Sequence, residues 1–185
     1  GWWDQHWKNM HRYNRMACTG VLVGSDSNAE VRLGGLTRRE FRYTPTQKDF
    51  ETLLDGLQIA GDIYLAAGAE CVIPNTFNYY EYASSEALKM LKYDVKDHSD
   101  ITLGTGHPQG GNILSRNRNI GVVDEQLKVY DYDNLFITDA SVFPTAVGVN
   151  PQITVMTFAD YAVPFVAETI SAGGQKVISP EFTKV

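Results

Sequence analysis

Between Gly104 and Gly121, glycine or proline stands at positions 104, 106, 108, 110, 111 and 121, with Asn112 and Asn117 among them. This stretch limits what the chain can fold into more than any other. Glycine loses the most backbone freedom on ordering, and proline lacks the amide hydrogen that a helix interior or a central strand requires. The spacing predicts a long loop, and loops of this length in a compact chain are commonly functional. Strand-like and helical patterns precede it. Short strands and one long apolar helix follow it.

Before the loop, Trp3, Trp7, Met10 and Asn14 recur at helical spacing, so an amphipathic helix is expected within residues 1–16, with its tryptophans buried or at an interface. His6 and His11 are five apart, which does not match the spacing of paired ligands on one helix face. Gly20–Gly24 and Ala29–Leu33 are strand-like runs around the polar cluster Ser25–Asn28, a hairpin pattern. Thr46 opens the clearest helix, with Asp49 placed as in a capping box. Phe50, Leu53, Leu54, Leu57, Ala60 and Tyr64 follow at helical spacing, and Gly68 stops it. Glu70–Ile73 reads as a short strand, 75–82 as an irregular aromatic segment, and Ser84 or Ser85 as the cap of a short helix running to about Lys92.

After the loop, Val122-Val123, Leu127–Tyr130 and Leu135–Thr138 read as short strands, the last two joined by a turn over Asp131–Asn134. A helix is expected from Pro151, whose fixed φ suits a first helical position, and Pro164 is expected to kink or end it. The tail beyond Ser171 reads as an extended strap. The fold class is therefore mixed α/β, of the α+β kind.

Three polar residues could carry chemistry. His107 lies in Gly104-Thr-Gly-His-Pro-Gln-Gly-Gly111, held extended by Pro108 and flanked by glycines that admit a ligand. Imidazole is the side chain that exchanges protons near neutral pH, so a general base is one reading, and a loop histidine bonded to a nearby carbonyl is the other. Asn150 stands before Pro151. It either caps the helix or offers its amide to a ligand oxygen, while the N–H groups of Gln152 and Ile153 face an anion. Asp139, at the end of Leu135–Ile137, either accepts from ligand hydroxyls or caps the following turn.

Composition excludes several classes. The 185 residues carry a net charge of −6 and 43% apolar residues, an ordinary globular balance without the basic excess of a nucleic-acid or anionic-membrane surface. Cys18 and Cys71 lack metal or CxxC spacing, so no metal site is expected, and two buried free thiols or a single bridge are the alternatives. No secretory signal pattern opens the chain, and no apolar run approaches the roughly 20 residues of a membrane span. An opening on Gly-Trp-Trp-Asp-Gln-His-Trp, with no initiator Met, is expected of part of a larger protein. No GxGxxG, GxxxxGK[ST] or HExxH is present.

Taken in order, His107–Gly110, Val122–Asp124 with Leu127–Tyr130, Asn134–Pro144 and Gly148–Thr154 resemble the C-terminal region of the glucose-methanol-choline (GMC) flavoprotein oxidoreductases. The resemblance is strong over residues 104–163 and loose over 19–73. The run Pro144–Pro151 looks most like the long-chain alcohol oxidase and cholesterol oxidase branches. Where the family often has His-Pro-x-Gly-Thr, this chain has Gly111.

The resemblance implies an FAD-dependent oxidoreductase acting on alcohols, with His107 at the family's active-site His and Asn150 at the partnering His or Asn. It also implies FAD contacts from Asp139, Ala140, Asn150, Pro151, Gln152 and Ile153. Residues 1–105 would belong to a substrate-binding domain, 106–170 to the catalytic loop and the returning part of an FAD domain, and 171–185 to a strap. The implied partners are a small-molecule alcohol and the remainder of the enzyme, bearing the GxGxxG region. The alternative is a stand-alone α+β module that holds an anionic ligand at the Asn150 helix terminus without redox chemistry.

Overall fold

The computed structural model describes residues 3–34, 36 and 40–173. Two compact units divide the chain, Gly1–Gly104 and Thr105–Val185.

The first unit is built on α2 (Gln47–Ala66), following α1 (Asp4–His11), β1 (Glu30–Arg32) and β2 (Glu40–Arg42). The expected capping box is present: Thr46 Oγ1 accepts from Asp49 N–H at 3.1 Å, and Asp49 Oδ2 accepts from Thr46 N–H at 3.0 Å. The helix stops where Gly68 takes φ +95° and its N–H donates to Leu65 O, while Ala69 N–H donates to Tyr64 O. Only glycine adopts that conformation without penalty. Phe50 and Leu54 bury the inner face of α2 with Tyr82, Leu88, Leu91, Val95 and Ile101. Ser84 caps α3 (Ser85–Leu88), and α4 (Leu91–Asp94) follows, so the single short helix expected there is broken in two.

Two expectations for this unit are corrected, and a third, that the tryptophans of the first helix are buried or at an interface, loses its buried alternative. Gly20–Gly24 does not pair with 29–33. Val21 instead rests on α2 at Gly56, where an added Cβ would come within 2.4 Å of Val21 Cγ1, and Ser25 Oγ donates to Asp49 Oδ2 at 2.9 Å. Packing on the helix has displaced pairing, and β1 takes β2 as its antiparallel partner, with Val31 opposite Phe41. The helix near the start forms but buries none of its residues, and Trp7 is 67% exposed. It is tied to the aromatic segment by Arg12, whose Nη2 donates to Glu81 Oε2 at 2.9 Å and to Tyr79 Oη at 3.0 Å. Cys18 is exposed and Cys71 half-buried, both free thiols, so neither buried thiols at both positions nor a bridge describes them.

In the second unit the segments read as strands are reduced to single bridges, Leu114 to Val123, Val123 to Val129 and Lys128 to Phe136. Leu127 (φ +63°) and Asp131 (φ +67°) bracket the middle segment in the left-handed region, which a ladder cannot continue through. Val123, Leu127, Val129, Val142 and Phe143 form the core, and α5 (Gln152–Ser171) closes it with Ala162. Phe158 meets Phe143 edge-on at 5.3 Å.

Pro164 lies inside α5 rather than ending it. By length and composition alone, this 20-residue helix of mean hydropathy 1.2 is long and apolar enough to cross a membrane, although its apolar run is not continuous. Polar residues such as Thr154, Thr157 and Asp160 interrupt its apolar run without lowering the average below that limit. The expected strap lies, beyond Gly173, outside the described residues. With helices and a small antiparallel sheet, the chain is mixed α+β.

Candidate active site

His107 is positioned from both sides of the loop that carries it. Its N–H donates to Thr105 Oγ1 at 2.9 Å. Beyond it, Gly110 N–H donates to Ala140 O at 3.3 Å, Asn112 N–H to Ser141 O at 2.8 Å and Leu114 N–H to Val142 O at 2.9 Å. These bonds lay the loop along the short turn 140–142. Gly110 has φ +81°, and an added Cβ would stand 3.4 Å from Phe143 O, so glycine is needed for the conformation.

Asp139 supports the same turn from the other side. Its Oδ1 accepts from Ser141 N–H at 2.8 Å, which makes it the cap of that turn. Asn112 Nδ2 donates to Ser141 Oγ at 2.9 Å and fixes the loop a second time. The capping reading of Asp139 is therefore realised. Its exposed carboxylate stands beside Ala140, the carbonyl that receives Gly110.

The chain then crosses 144–149 to reach Asn150. Gln109 Oε1 accepts from Val147 N–H at 3.2 Å, and Gly148, at φ +72°, redirects the backbone. Asn150 Nδ2 lies 3.4 Å from His107 Nε2. Of the two readings of Asn150, the helix cap is not realised: Pro151 occupies the cap, no side chain bonds the first turn, and the helix begins at Gln152 rather than at the expected Pro151. Asn150 lies one residue outside the cap, and its amide is directed at the imidazole instead.

This geometry has chemical consequences. If Nδ2 donates, His107 Nε2 presents a lone pair, and a neutral ring carries its proton on Nδ1. An oxygen can stand within hydrogen-bonding distance, about 2.8 Å, of both atoms at once. It would receive an N–H from Asn150 and give its own proton to His107. The first-turn N–H groups of α5, on Gln152, Ile153 and Thr154, have no intrahelical acceptor and no side-chain cap, so they present the positive end of the helix dipole. Ile153 is 79% exposed at this end, and Pro151 is buried.

His107 and Asn150, 43 positions apart in sequence, are thus brought into direct contact. Asp139 and Ala140 join them through the Gly110 bond, and Gln152 and Ile153 through the chain itself. The role of Gln109 in joining the two loops was missed in the sequence, where its place between His107 and Gly110 was the only signal. Among the described residues, no group of three His, Cys, Asp or Glu side chains is placed to hold a metal ion.

A family model described as GMC oxidoreductase matches residues 25–159. A long-chain-alcohol oxidase of Arabidopsis thaliana is 28% identical over 179 residues, covering 90% of this chain and 23% of that protein. A cholesterol oxidase of Acinetobacter baumannii is 36% identical over 62 residues, 34% of this chain and 11% of that protein. Among solved structures, a pyridoxine 4-oxidase from Mesorbium loti aligns with a TM-score of 0.49 and 23% identity, over 79% of this chain and 28% of that one. The chain thus spans less than a quarter of the length of these two relatives. Because the matched span covers more than half of the sequence, and includes both His107 and Asn150, the chain belongs to the GMC oxidoreductase family.

Proposed function

We propose that this chain supplies the substrate-activating part of an FAD-dependent alcohol oxidase or dehydrogenase, working with a remainder that bears the GxGxxG region. Residues before the Gly104 loop would belong to the substrate-binding domain, and those after it would complete the FAD domain. The observation that carries the reading is the 3.4 Å approach of Asn150 Nδ2 to His107 Nε2, which matches an acceptor to a donor around one substrate oxygen. Membership of an oxidoreductase family supports this redox reading over that of a stand-alone anion-binding module.

In this reading the alcohol oxygen takes the place of the direct contact between the two side chains. Asn150 Nδ2–H donates to that oxygen and orients it, and His107 Nε2 accepts the hydroxyl proton. Thr105 Oγ1 holds the His107 backbone, so the imidazole meets the hydroxyl in a fixed pose.

The donor set also fits a flavin. An uncapped helix start suits an electron-rich group, and the Asp139–Ala140 turn offers one carboxylate and closely packed backbone. Asp139, Ala140, Asn150, Pro151, Gln152 and Ile153 would hold it. FAD, when bound, supplies the acceptor for the carbinol hydride.

The test is anaerobic reduction of the assembled protein by an alcohol, followed as bleaching of flavin absorbance. His107→Ala is expected to slow reduction by roughly 10²–10⁴, the usual worth of a positioned base. An unchanged rate in that variant rules out the proton-transfer role.

A further inference from the structure

We infer that Gln109 is a positioning residue that clamps the two loops of the His107–Asn150 site into register; the inference rests on the function proposed above. Among the described residues, two hydrogen bonds cross between the 107–109 turn and the 144–150 loop. One is the Asn150–His107 contact itself, at 3.4 Å, and the other is Val147 N–H to Gln109 Oε1, at 3.2 Å. A substrate oxygen entering the site would replace the first. The second would then be the polar tie left to set the spacing between the imidazole and the amide.

The placement of Gln109 suits this role. It follows His107 by two residues and directly precedes Gly110, whose bond to Ala140 anchors the turn on the core side. Val147 precedes Asn150 by three residues, and its side chain packs against the buried cluster that includes Phe143. The clamp therefore joins a backbone point near the amide to a side chain rooted beside the base. Between Val147 and Asn150 lies Gly148, in the left-handed region and with no Cβ to restrict its backbone. Without the clamp, Asn150 would move with that hinge. Displacements of about 1 Å at a reacting pair are worth up to roughly 10² in rate.

Two variants separate positioning from mere folding. Gln109→Met keeps the length of the side chain and removes the acceptor, whereas Gln109→Glu keeps an oxygen where Val147 N–H donates. In the chain itself, amide exchange at Val147 is expected to quicken roughly fivefold in Gln109→Met, the worth of one neutral hydrogen bond, and to stay near the parent rate in Gln109→Glu. In the assembled enzyme, kcat for an alcohol should fall roughly tenfold or more in Gln109→Met, with KM within about twofold, since orientation and not binding is lost. Gln109→Glu should recover most of that loss when compared on the pH-independent plateau. Unchanged Val147 exchange in Gln109→Met overturns the clamp. So does an unchanged kcat where His107→Ala has slowed turnover as expected, and that outcome leaves the proposed function standing. If His107→Ala also leaves turnover intact, the proposed function fails and the clamp's catalytic role fails with it.

Discussion

Asn150 could cap its own helix through Oδ1 or reach the imidazole of His107 through Nδ2, and only the second contact is made. Pro151 makes the difference, because it takes the cap position and leaves Asn150 one residue too early to reach the first-turn amides. Replacing Asn150 with Ala is therefore expected to cost roughly 10² in kcat, as removal of an oriented donor does, while urea denaturation shifts by less than about 0.5 kcal/mol. A stability loss near 1 kcal/mol with turnover intact would restore the capping assignment. Leu127 shows a similar competition. It sits in the left-handed region at some cost, yet it is fully buried, and Asp124 holds its turn by accepting from Gln126 N–H and Lys128 N–H at 2.9 and 3.0 Å.

At the scale of elements, α2 owes its start to one buried carboxylate. Burial by itself would raise the Asp49 pKa. Hydrogen bonds from Thr46 N–H, Ser25 Oγ, the Thr46 side chain and Asp26 N–H outweigh it and hold the group below the ordinary carboxylate range. A depressed folded pKa means that the folded state favours the ionised form. The contribution of Asp49 is thus present above the ordinary carboxylate range near about pH 4, and it is lost as the pH falls through and below that range. Asp49→Ala should destabilise the chain by about 2 kcal/mol at pH 7, measured by denaturant titration, and the gap from the parent should narrow in acid.

Helix α2 was legible because capping, period and stop all lie in consecutive residues, and each is a local physical constraint. The hairpin partner of β1 was not. The sequence pattern offers 20–24 as the partner and gives no signal at 40–42, whereas in the fold Val21 sits on Gly56 and 40–42 pairs with β1. At the site, His107 and Asn150 were legible as candidates from their glycine and proline neighbours and from the resemblance. Their contact, and the Gln109 link beside it, depend on how the 104–121 loop is laid along 140–142, which no local pattern encodes.

Taken whole, each unit has its own buried cluster, and several large apolar side chains remain outside both. Ile153, Met156, Val163 and Ile170 of α5 are exposed, as are Val31 and Phe41 of the small sheet. Such apolar surface commonly marks contact with further protein. The proposal of a GxGxxG-bearing remainder makes a direct prediction: this chain mixed with FAD and passed through a desalting column should elute without flavin, and flavin should co-elute once the remainder is added. Flavin retained tightly by the chain alone would show that the α5 end suffices.

What the sequence by itself determined is what neighbouring residues enforce on one another: the capped α2 with its glycine stop, the glycine-rich loop, the long apolar α5, and the identity of the polar residues that flank them. What only the tertiary structure decided is which of those residues meet. The pairing of β1 with β2, the meeting of Asn150 with His107, and the joining of Gln109 to Val147 are contacts made across many residues, and no pattern of neighbouring residues specifies them.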